Sequence, residues 1–241
     1  MTSPMQAVIL AGGKGTRLRP YTTSLPKPLM PVGGESSILE IVLRQLAYRG
    51  FHRATLTIGH LGALIRAYVG DGSQWGIEVD YAPEDVPLGT MGPVVDILDR
   101  LPDHFLVLNG DILTDLDYSE LLRGHEASGA SITVATYERE VDVDFGVLEV
   151  DSDRIVSFRE KPILRYSVSM GCYAVSRSTL ESYPRGVPLG FDDLMLDLLA
   201  AQRWPRSHPF KGYWLDIGRP EDFDRANTEF EAMRSALLPK T

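Results

Sequence analysis

The chain has 241 residues, 44% of them hydrophobic and 24% charged, a length and balance that suit one large domain and exclude a wholly disordered protein. Its 24 basic and 33 acidic side chains leave a formal charge of −9, which excludes the broad basic face that nucleic acid requires of a partner. Cys172 is the only cysteine, so an intramolecular disulfide and a cysteine-held structural zinc are excluded, and the five histidines lack metal-ligand spacing.

The opening "MTSPMQAV" has no basic region ahead of a long apolar run, and no stretch approaches the roughly 20 apolar residues of a membrane span. A cytoplasmic protein without a membrane partner is expected. In chain order, "QAVILA" from Gln6 is followed by "SSILEIVLRQLAYRG", "RATLTI", "GALIRAYVG", "IEVDYA", "GPVVDILDRL" and "FLVLNGD". Apolar runs alternating with helical patterns predict a parallel sheet covered by helices. Ser37 with Glu40 and Asp117 with Glu120 read as capping boxes, and Gly50 as a helix stop.

From Ser131 the pattern changes to strand pairs. "SITVATY" is followed by "FGVLEV" and "RIVSFRE" around an Asp-Ser-Asp turn, and then by "SVSMGCYAV", which predicts a mixed or antiparallel region. "YWLDIG" leads into a helix opened by Pro220, with Phe223, Ala226, Phe230, Met233 and Leu237 on one face. The expectation is one domain over 1–241 with an α/β fold. A first lobe covers about 1–130, a second about 131–217, and a terminal helix about 220–237.

The segment "LAGGKGTRLRPYTTSLPKPL", Leu10 to Leu29, is too irregular for a long helix or strand. Gly12, Gly13 and Gly15 let a backbone approach a ligand, while Lys14, Arg17, Arg19 and Lys27 gather positive charge, a combination that suits a polyanion. Two common phosphate loops are excluded directly. The Walker pattern would need glycine at Val8 and serine or threonine at Gly15, and the dinucleotide pattern would need glycine at Leu18.

The longer stretch "LAGGKGTRLRPYTTSLPKPLMPVGG" resembles the signature of the sugar-1-phosphate nucleotidyltransferases, the NDP-sugar pyrophosphorylases. "PLGTMG", "FLVLNGD", "FREKP" and "GYWLDIGRPEDFDRAN" match in the same order, from about Gln6 to beyond Asn227. The resemblance implies a Rossmann-like three-layer fold with a mixed central sheet, and transfer of a nucleotidyl group from a nucleoside triphosphate to a sugar 1-phosphate. It implies Mg²⁺ held by Asp111 and Asp216, and catalytic roles for Arg17, Lys27 and Asp111. Nucleotide contacts are implied at Leu10, Ala11, Gly12, Gly13, Lys14, Gly15, Thr16, Arg17, Glu84, Pro87, Gly89, Thr90, Asn109 and Gly110. Sugar-phosphate contacts are implied at Gly146, Glu160, Lys161, Ser169 and Gly171. Many members have Asn-Ala-Gly where this chain has Ser169, Met170 and Gly171, which leaves the sugar open. The chain has no room for the β-helix or acyltransferase domain that some relatives append, so a single-activity enzyme is expected.

The base is approached through Glu84. An ionised carboxylate only accepts hydrogen bonds, and guanine presents two adjacent donors where thymine and uracil present carbonyl oxygens. GTP is therefore favoured, closest in pattern to mannose- or heptose-1-phosphate guanylyltransferases, with dTTP, UTP or CTP as alternatives. A metal-dependent glycosyltransferase and a non-catalytic regulatory relative remain as other classes, and a homodimer is compatible with the sequence.

Overall fold

The computed structural model describes residues 4–238. Strand β1 (Gln6–Leu10) leads through three single-turn 3-10 helices and the hairpin of β2 (Pro31–Val32) and β3 (Ser36–Ser37) into α1 (Ile38–Tyr48). There follow β4 (Arg53–Ile58), α2 (Gly62–Val69), β5 (Glu78–Pro83), α3 (Gly92–Asp96), β6 (His104–Asn109), β7 (Ile112–Thr114) and α4 (Tyr118–Ser128). Beyond these lie β8 (Ile132–Asp142), β9 (Val147–Asp151), β10 (Arg154–Arg159), β11 (Ile163–Ser176), α5 (Phe191–Ala200), β12 (Arg206–Phe210), β13 (Trp214–Asp216) and α6 (Pro220–Leu237).

Seven strands form one sheet in the order β12-β8-β11-β6-β1-β4-β5. Strands β5, β4, β1 and β6 are mutually parallel, β11 runs against both β6 and β8, and β12 is parallel to β8. The sheet is thus mixed because of one reversed strand. Side chains alternate across it, so β1 sends Ile9 to one face and Val8 to the other. Helices α1, α2 and α4 cover the first face with Leu39, Val42, Leu46, Ile65 and Leu121, while α3 and α5 cover the second with Val94, Val95, Leu194 and Leu198. Burying each such aliphatic side chain contributes about 1.5–3 kcal/mol, and the result is the three-layer α/β arrangement expected.

A third cluster lies beside this sandwich, where Ile38 and Ile41 of α1 meet Leu215, Ile217, Ala226, Phe230 and Leu237. Ala226, Phe230 and Leu237 are buried as the α6 periodicity requires, with Phe223 and Met233 half-buried against them. Helix α6 therefore clamps β13 to α1.

One local expectation needs revision, and two elements were not expected. The capping boxes are only half formed: Ser37 Oγ accepts the Glu40 amide at 3.1 Å, but the Glu40 carboxylate is drawn away by Ser36, Arg44 and Tyr68. Asp117 caps the amides of Ser119 and Glu120 in the same one-sided way. The α5 stretch "FDDLMLDLLA" and the β12 stretch "RSHPF" are elements that the sequence reading did not assign. Pro209 cannot donate to a ladder, so "RSHPF" reads poorly as a strand, and β12 duly lies at the sheet edge, paired only to β8. The "FGVLEV"–"RIVSFRE" pair forms as the β9–β10 hairpin, a separate two-stranded sheet.

At the sheet end opposite the C-terminal edge of β6, fully buried His125 is held between Thr133 Oγ1 at 2.9 Å and Ser176 Oγ at 3.0 Å. Burial, and then the charges of His104 and Arg206, push its pKa down from 6.5 to about 4. Between these values the unfolded chain binds the extra proton and the folded chain does not, so stability falls as pH drops through that window. Thermal melts from above pH 6.5 to about 4 should show a steeper loss of Tm for the wild type than for His125→Gln. Equal slopes would show that His125 does not govern this acid sensitivity.

Candidate active site

Chain order around β1 determines where a cleft opens. The path steps from β1 to β4 and β5 on one side, then returns to β6 on the other, so loops diverge at the C-terminal ends of β1 and β6. There Leu10 lies opposite Asn109. The Gly110 amide donates to the Leu10 carbonyl at 3.0 Å, the Ala11 amide to the Thr57 carbonyl at 2.9 Å, and the Glu84 amide to the Ile58 carbonyl at 2.8 Å. These bonds set four loops side by side.

The glycine-rich loop bounds a cavity of about 230 Å³ lined by Leu10, Ala11, Gly13, Gly15, Thr16, Arg17, Lys27, Gly110 and Asp111. Gly15 takes the left-handed conformation at φ 58°, and its carbonyl accepts the Thr22 hydroxyl at 2.7 Å, which pins the loop from below. Lys27 begins a 3-10 turn between buried Pro26 and Pro28, with the Met30 amide on its carbonyl at 3.0 Å. Proline on both sides removes backbone freedom that a lysine elsewhere would keep. The buried Lys27 ammonium meets Asp111 Oδ2 at 2.5 Å.

Asp216 arrives by strand pairing. Strand β13 runs antiparallel to β7 with Asp216 opposite Ile112, and the Ile217 amide donates to the Asp111 carbonyl at 3.1 Å. Downstream, Asp222 Oδ2 accepts the amides of Gly218 and Arg219 at 3.1 and 2.8 Å, fixing the turn that follows. Asp216 is open to solvent at the cleft yet crowded by protein. That crowding, and then the Asp111 charge, push its carboxyl above the ordinary value, while Lys27 and Arg17 pull it back. Arg17 and Asp216 flank Gly218: a Cβ built there would stand 3.7 Å from the guanidinium and 3.8 Å from the carboxylate.

The two carboxylates suit a hard divalent cation. Asp111 Oδ1 is buried without a hydrogen-bond partner, and among the described residues no group of three or more His, Cys, Asp or Glu side chains gathers into a closed metal cage. A site with few protein oxygens and room for phosphate and water fits Mg²⁺ better than Zn²⁺.

A larger cavity of about 910 Å³ adjoins the first, sharing Leu10, Gly13 and Asp111. It is lined by Gly12, Lys14, Glu84, Pro87, Gly89, Thr90 and Asn109, so all fourteen residues expected at the nucleotide line one cavity or the other. Thr57, Gly59, His60 and Asp85 line it as well, and Leu18, Pro28 and Gly218 line the smaller one; none was expected. The rule that ligands collect beyond strand ends would have reached Thr57, Gly59 and His60, which finish or follow β4. Gly12 has a different reason for being glycine than the sequence suggested. A Cβ there would lie 2.6 Å from Glu84 Oε1, so the Glu84 carboxylate occupies the space a side chain would fill.

On the other side of Asn109, the β11–β8 ladder is interrupted between Ser169 and Tyr173. Gly171 sits in this bulge at φ 73°, and any side chain on it would strike Asn109 Nδ2. The Gly171 amide donates to Ser169 Oγ at 3.2 Å, and Trp214 Nε1 holds the Met170 carbonyl at 3.1 Å. Gly171 is thus packed against Asn109 of the larger cavity, but neither Ser169 nor Gly171 lines a cavity itself. Gly146 and Glu160 meet one another instead beside Phe158, near the β9–β10 hairpin, with Lys161 next to them at φ 40°. All three are exposed, and none lines either cavity.

A doubly wound α/β sheet thus places a glycine-rich, cationic loop beside a pair of carboxylates. The sequence profile of the nucleotidyl transferase family matches residues 6–233, and the chain belongs to that family. It is 33% identical over 234 residues to a mannose-1-phosphate guanylyltransferase of Mycobacterium tuberculosis, covering 95% of this chain and 65% of the relative. It is 31% identical to a mannose-1-phosphate guanyltransferase of Candida albicans, covering 91% and 62%. The chain therefore spans somewhat under two thirds of the length of these curated relatives. The crystal structure of HddC from Yersinia pseudotuberculosis complexed with GMP-PN superposes with a TM-score of 0.72 at 28% identity, over 94% of this chain and 99% of that one.

The Gly12–Glu84 contact is directly testable. Because the clash falls on the end of a flexible side chain, Gly12→Ala should fold with a Tm close to wild type while the Glu84 carboxylate swings away. A crystal structure of the variant should show the displaced carboxylate; an unmoved Glu84 would refute the packing described.

Proposed function

We propose that this chain transfers a nucleotidyl group from a nucleoside triphosphate, GTP in preference, to a sugar 1-phosphate and releases pyrophosphate. The single observation supporting the reaction is the convergence of Lys27 and Asp111 on one pocket beneath the glycine-rich loop, with Asp216 alongside, next to the pocket residue Gly218. In the reaction, an oxygen of the sugar phosphate forms a bond to the α-phosphorus. The bond from that phosphorus to the bridging oxygen breaks in line, and pyrophosphate leaves with the electron pair. The attacking oxygen is already anionic at neutral pH, so no general base is needed and the obstacle is repulsion between phosphates.

Each residue then has a task set by charge. Backbone amides from Gly12 to Thr16 cradle the triphosphate as an anion-binding nest. Arg17 holds the departing pyrophosphate, and Lys27 lies between the α-phosphate and the attacking phosphate. Asp111 and Asp216 would hold Mg²⁺, which when bound neutralises phosphate charge and favours departure of the leaving group. The segment to about residue 130 serves the nucleotide, and the segment from about 131 to 217 serves the sugar phosphate, with Ser169 and Gly171 at its near edge and Gly146, Glu160 and Lys161 closing from the hairpin.

GTP is favoured because the Glu84 carboxylate faces the larger cavity, where it can accept from both donors on the guanine edge. The relatives named as guanylyltransferases and the HddC complex with GMP-PN support the same choice, and mannose-type 1-phosphates are the first sugars to try. Among the described residues no helix is long and apolar enough to cross a membrane.

The test is pyrophosphate release with GTP and mannose 1-phosphate, which should require both substrates, vanish in excess EDTA and return with Mg²⁺. Removing one preorganised charge partner lowers turnover by about a hundredfold to a thousandfold, so Lys27→Ala should lose that much while Lys14→Ala loses far less. Equal losses from the two lysines would show a diffuse basic patch, and release from GTP alone would overturn the transfer reading.

A further inference from the structure

Thr57 is the last but one residue of β4, with Leu10 beside it on β1 and Ala82 on β5. Its side chain is 1% exposed and lines the larger cavity, yet its hydroxyl has no hydrogen-bond partner of ordinary geometry. A buried hydroxyl left unpaired bears the full cost of losing water. Valine has the same shape, suits a β-strand and would avoid that cost, so packing alone does not account for the hydroxyl.

The group within reach of the hydroxyl's influence is Glu84. Its carboxylate lies over Gly12 within the same cavity. Burial raises its pKa, and the Thr57 hydroxyl is the strongest influence in the opposite direction, ahead of the Leu88 amide. The other charged neighbours do not substitute for it: Asp96 repels the carboxylate, and Lys14, His60 and Asp85 line the cavity without bonding to it. A carboxylate that reads a base must stay ionised and present its two oxygens to the base edge. Gly12 supplies the space, and one fixed donor behind the carboxylate would set its plane.

We propose that Thr57 is a positioning residue for base selection: its hydroxyl donates to the Glu84 carboxylate once a base enters, and so orients that carboxylate toward the paired donors of guanine. This rests on the guanine reading given above. The triad Gly12, Thr57 and Glu84 then acts as a unit in which only Glu84 touches the nucleotide. Loss of the hydroxyl leaves the phosphate chemistry intact and affects discrimination between bases.

The experiment is steady-state kinetics with GTP, UTP and dTTP for the wild type, Thr57→Val, Thr57→Ser, Glu84→Gln and the Thr57→Val/Glu84→Gln double variant. Thermal melts of each confirm folding. Thr57→Val should raise KM for GTP and cut the preference for GTP over the pyrimidines by about tenfold, the scale of one lost hydrogen bond to a charged group. Its kcat should stay within about twofold of wild type, because only binding common to ground and transition states is removed. Thr57→Ser should retain most of the preference, and adding Thr57→Val to Glu84→Gln should change nothing more.

If Glu84→Gln abolishes the GTP preference and Thr57→Val keeps it, the role of Thr57 is refuted while the guanine reading stands. Loss of rate by Thr57→Val on all three nucleotides alike, or no recovery in a folded Thr57→Ser, refutes it equally. A wild-type preference for a pyrimidine overturns the guanine reading and the role of Thr57 with it.

Discussion

Two carboxylates, one in the turn just ahead of β7 and one at the end of β13, repel one another, and the cleft is organised around holding Asp111 and Asp216 together against that repulsion. Strand pairing between β7 and β13 makes the approach, and α6 secures it by packing Ala226 and Phe230 against the cluster that contains Leu215 and Ile217. Positive charge makes it tolerable. Lys27 binds Asp111 directly, and both Lys27 and Arg17 act against the rise that burial and Asp111 impose on Asp216. Lys27 occupies Asp111 Oδ2 and leaves the buried Oδ1 unpartnered. Both cations come from the same irregular loop after β1. The buried prolines beside Lys27 and the Thr22 bond beneath Gly15 therefore serve the carboxylates as much as they serve an incoming phosphate.

The other end of the cleft uses the same loop for a different purpose. Gly12 leaves space for Glu84, and Thr57 waits at the cavity wall without a partner. The two cavities are thus joined through a few residues of backbone at the end of β1. The division is one of chemistry: cations and backbone amides toward the 230 Å³ cavity, an acceptor-rich wall toward the 910 Å³ one. A single sheet, crossed by one reversed strand, sets the larger cavity and the β11 bulge at Gly171 on either side of Asn109.

Much of this was legible in the sequence, for physical reasons. Strands β1, β4 and β6 are buried on both faces and read as apolar runs, and α1 and α6 carry unambiguous periodicity. Lys27, Asp111 and Asp216 stand in motifs long enough to be specific. What escaped notice has equally physical causes. Strand β12 hides behind Pro209, and α5 has acidic residues in its first turn that dilute its apolar pattern. Thr57 reads as an ordinary β-branched strand residue, because only the fold reveals that its hydroxyl faces a cavity. Glu40 satisfies the capping spacing yet turns to Arg44 and Tyr68, a choice that tertiary packing makes. Gly146, Glu160 and Lys161 were grouped with the sugar by motif. They lie together, but spacing along the chain could not tell how far their hairpin stands from Asn109.

The role proposed for Asp111 and Asp216 is that of one divalent cation site completed by nucleotide. Mn²⁺ binding followed by electron paramagnetic resonance, with and without a non-hydrolysable GTP analogue, tests this without relying on turnover. Binding should be weak in the free protein, where Lys27 holds Asp111, and should tighten by about tenfold or more with the analogue as phosphate oxygens join the shell. Asp216→Asn should remove that gain. Tight Mn²⁺ binding with the analogue that survives in a folded Asp216→Asn variant would contradict the paired-carboxylate site.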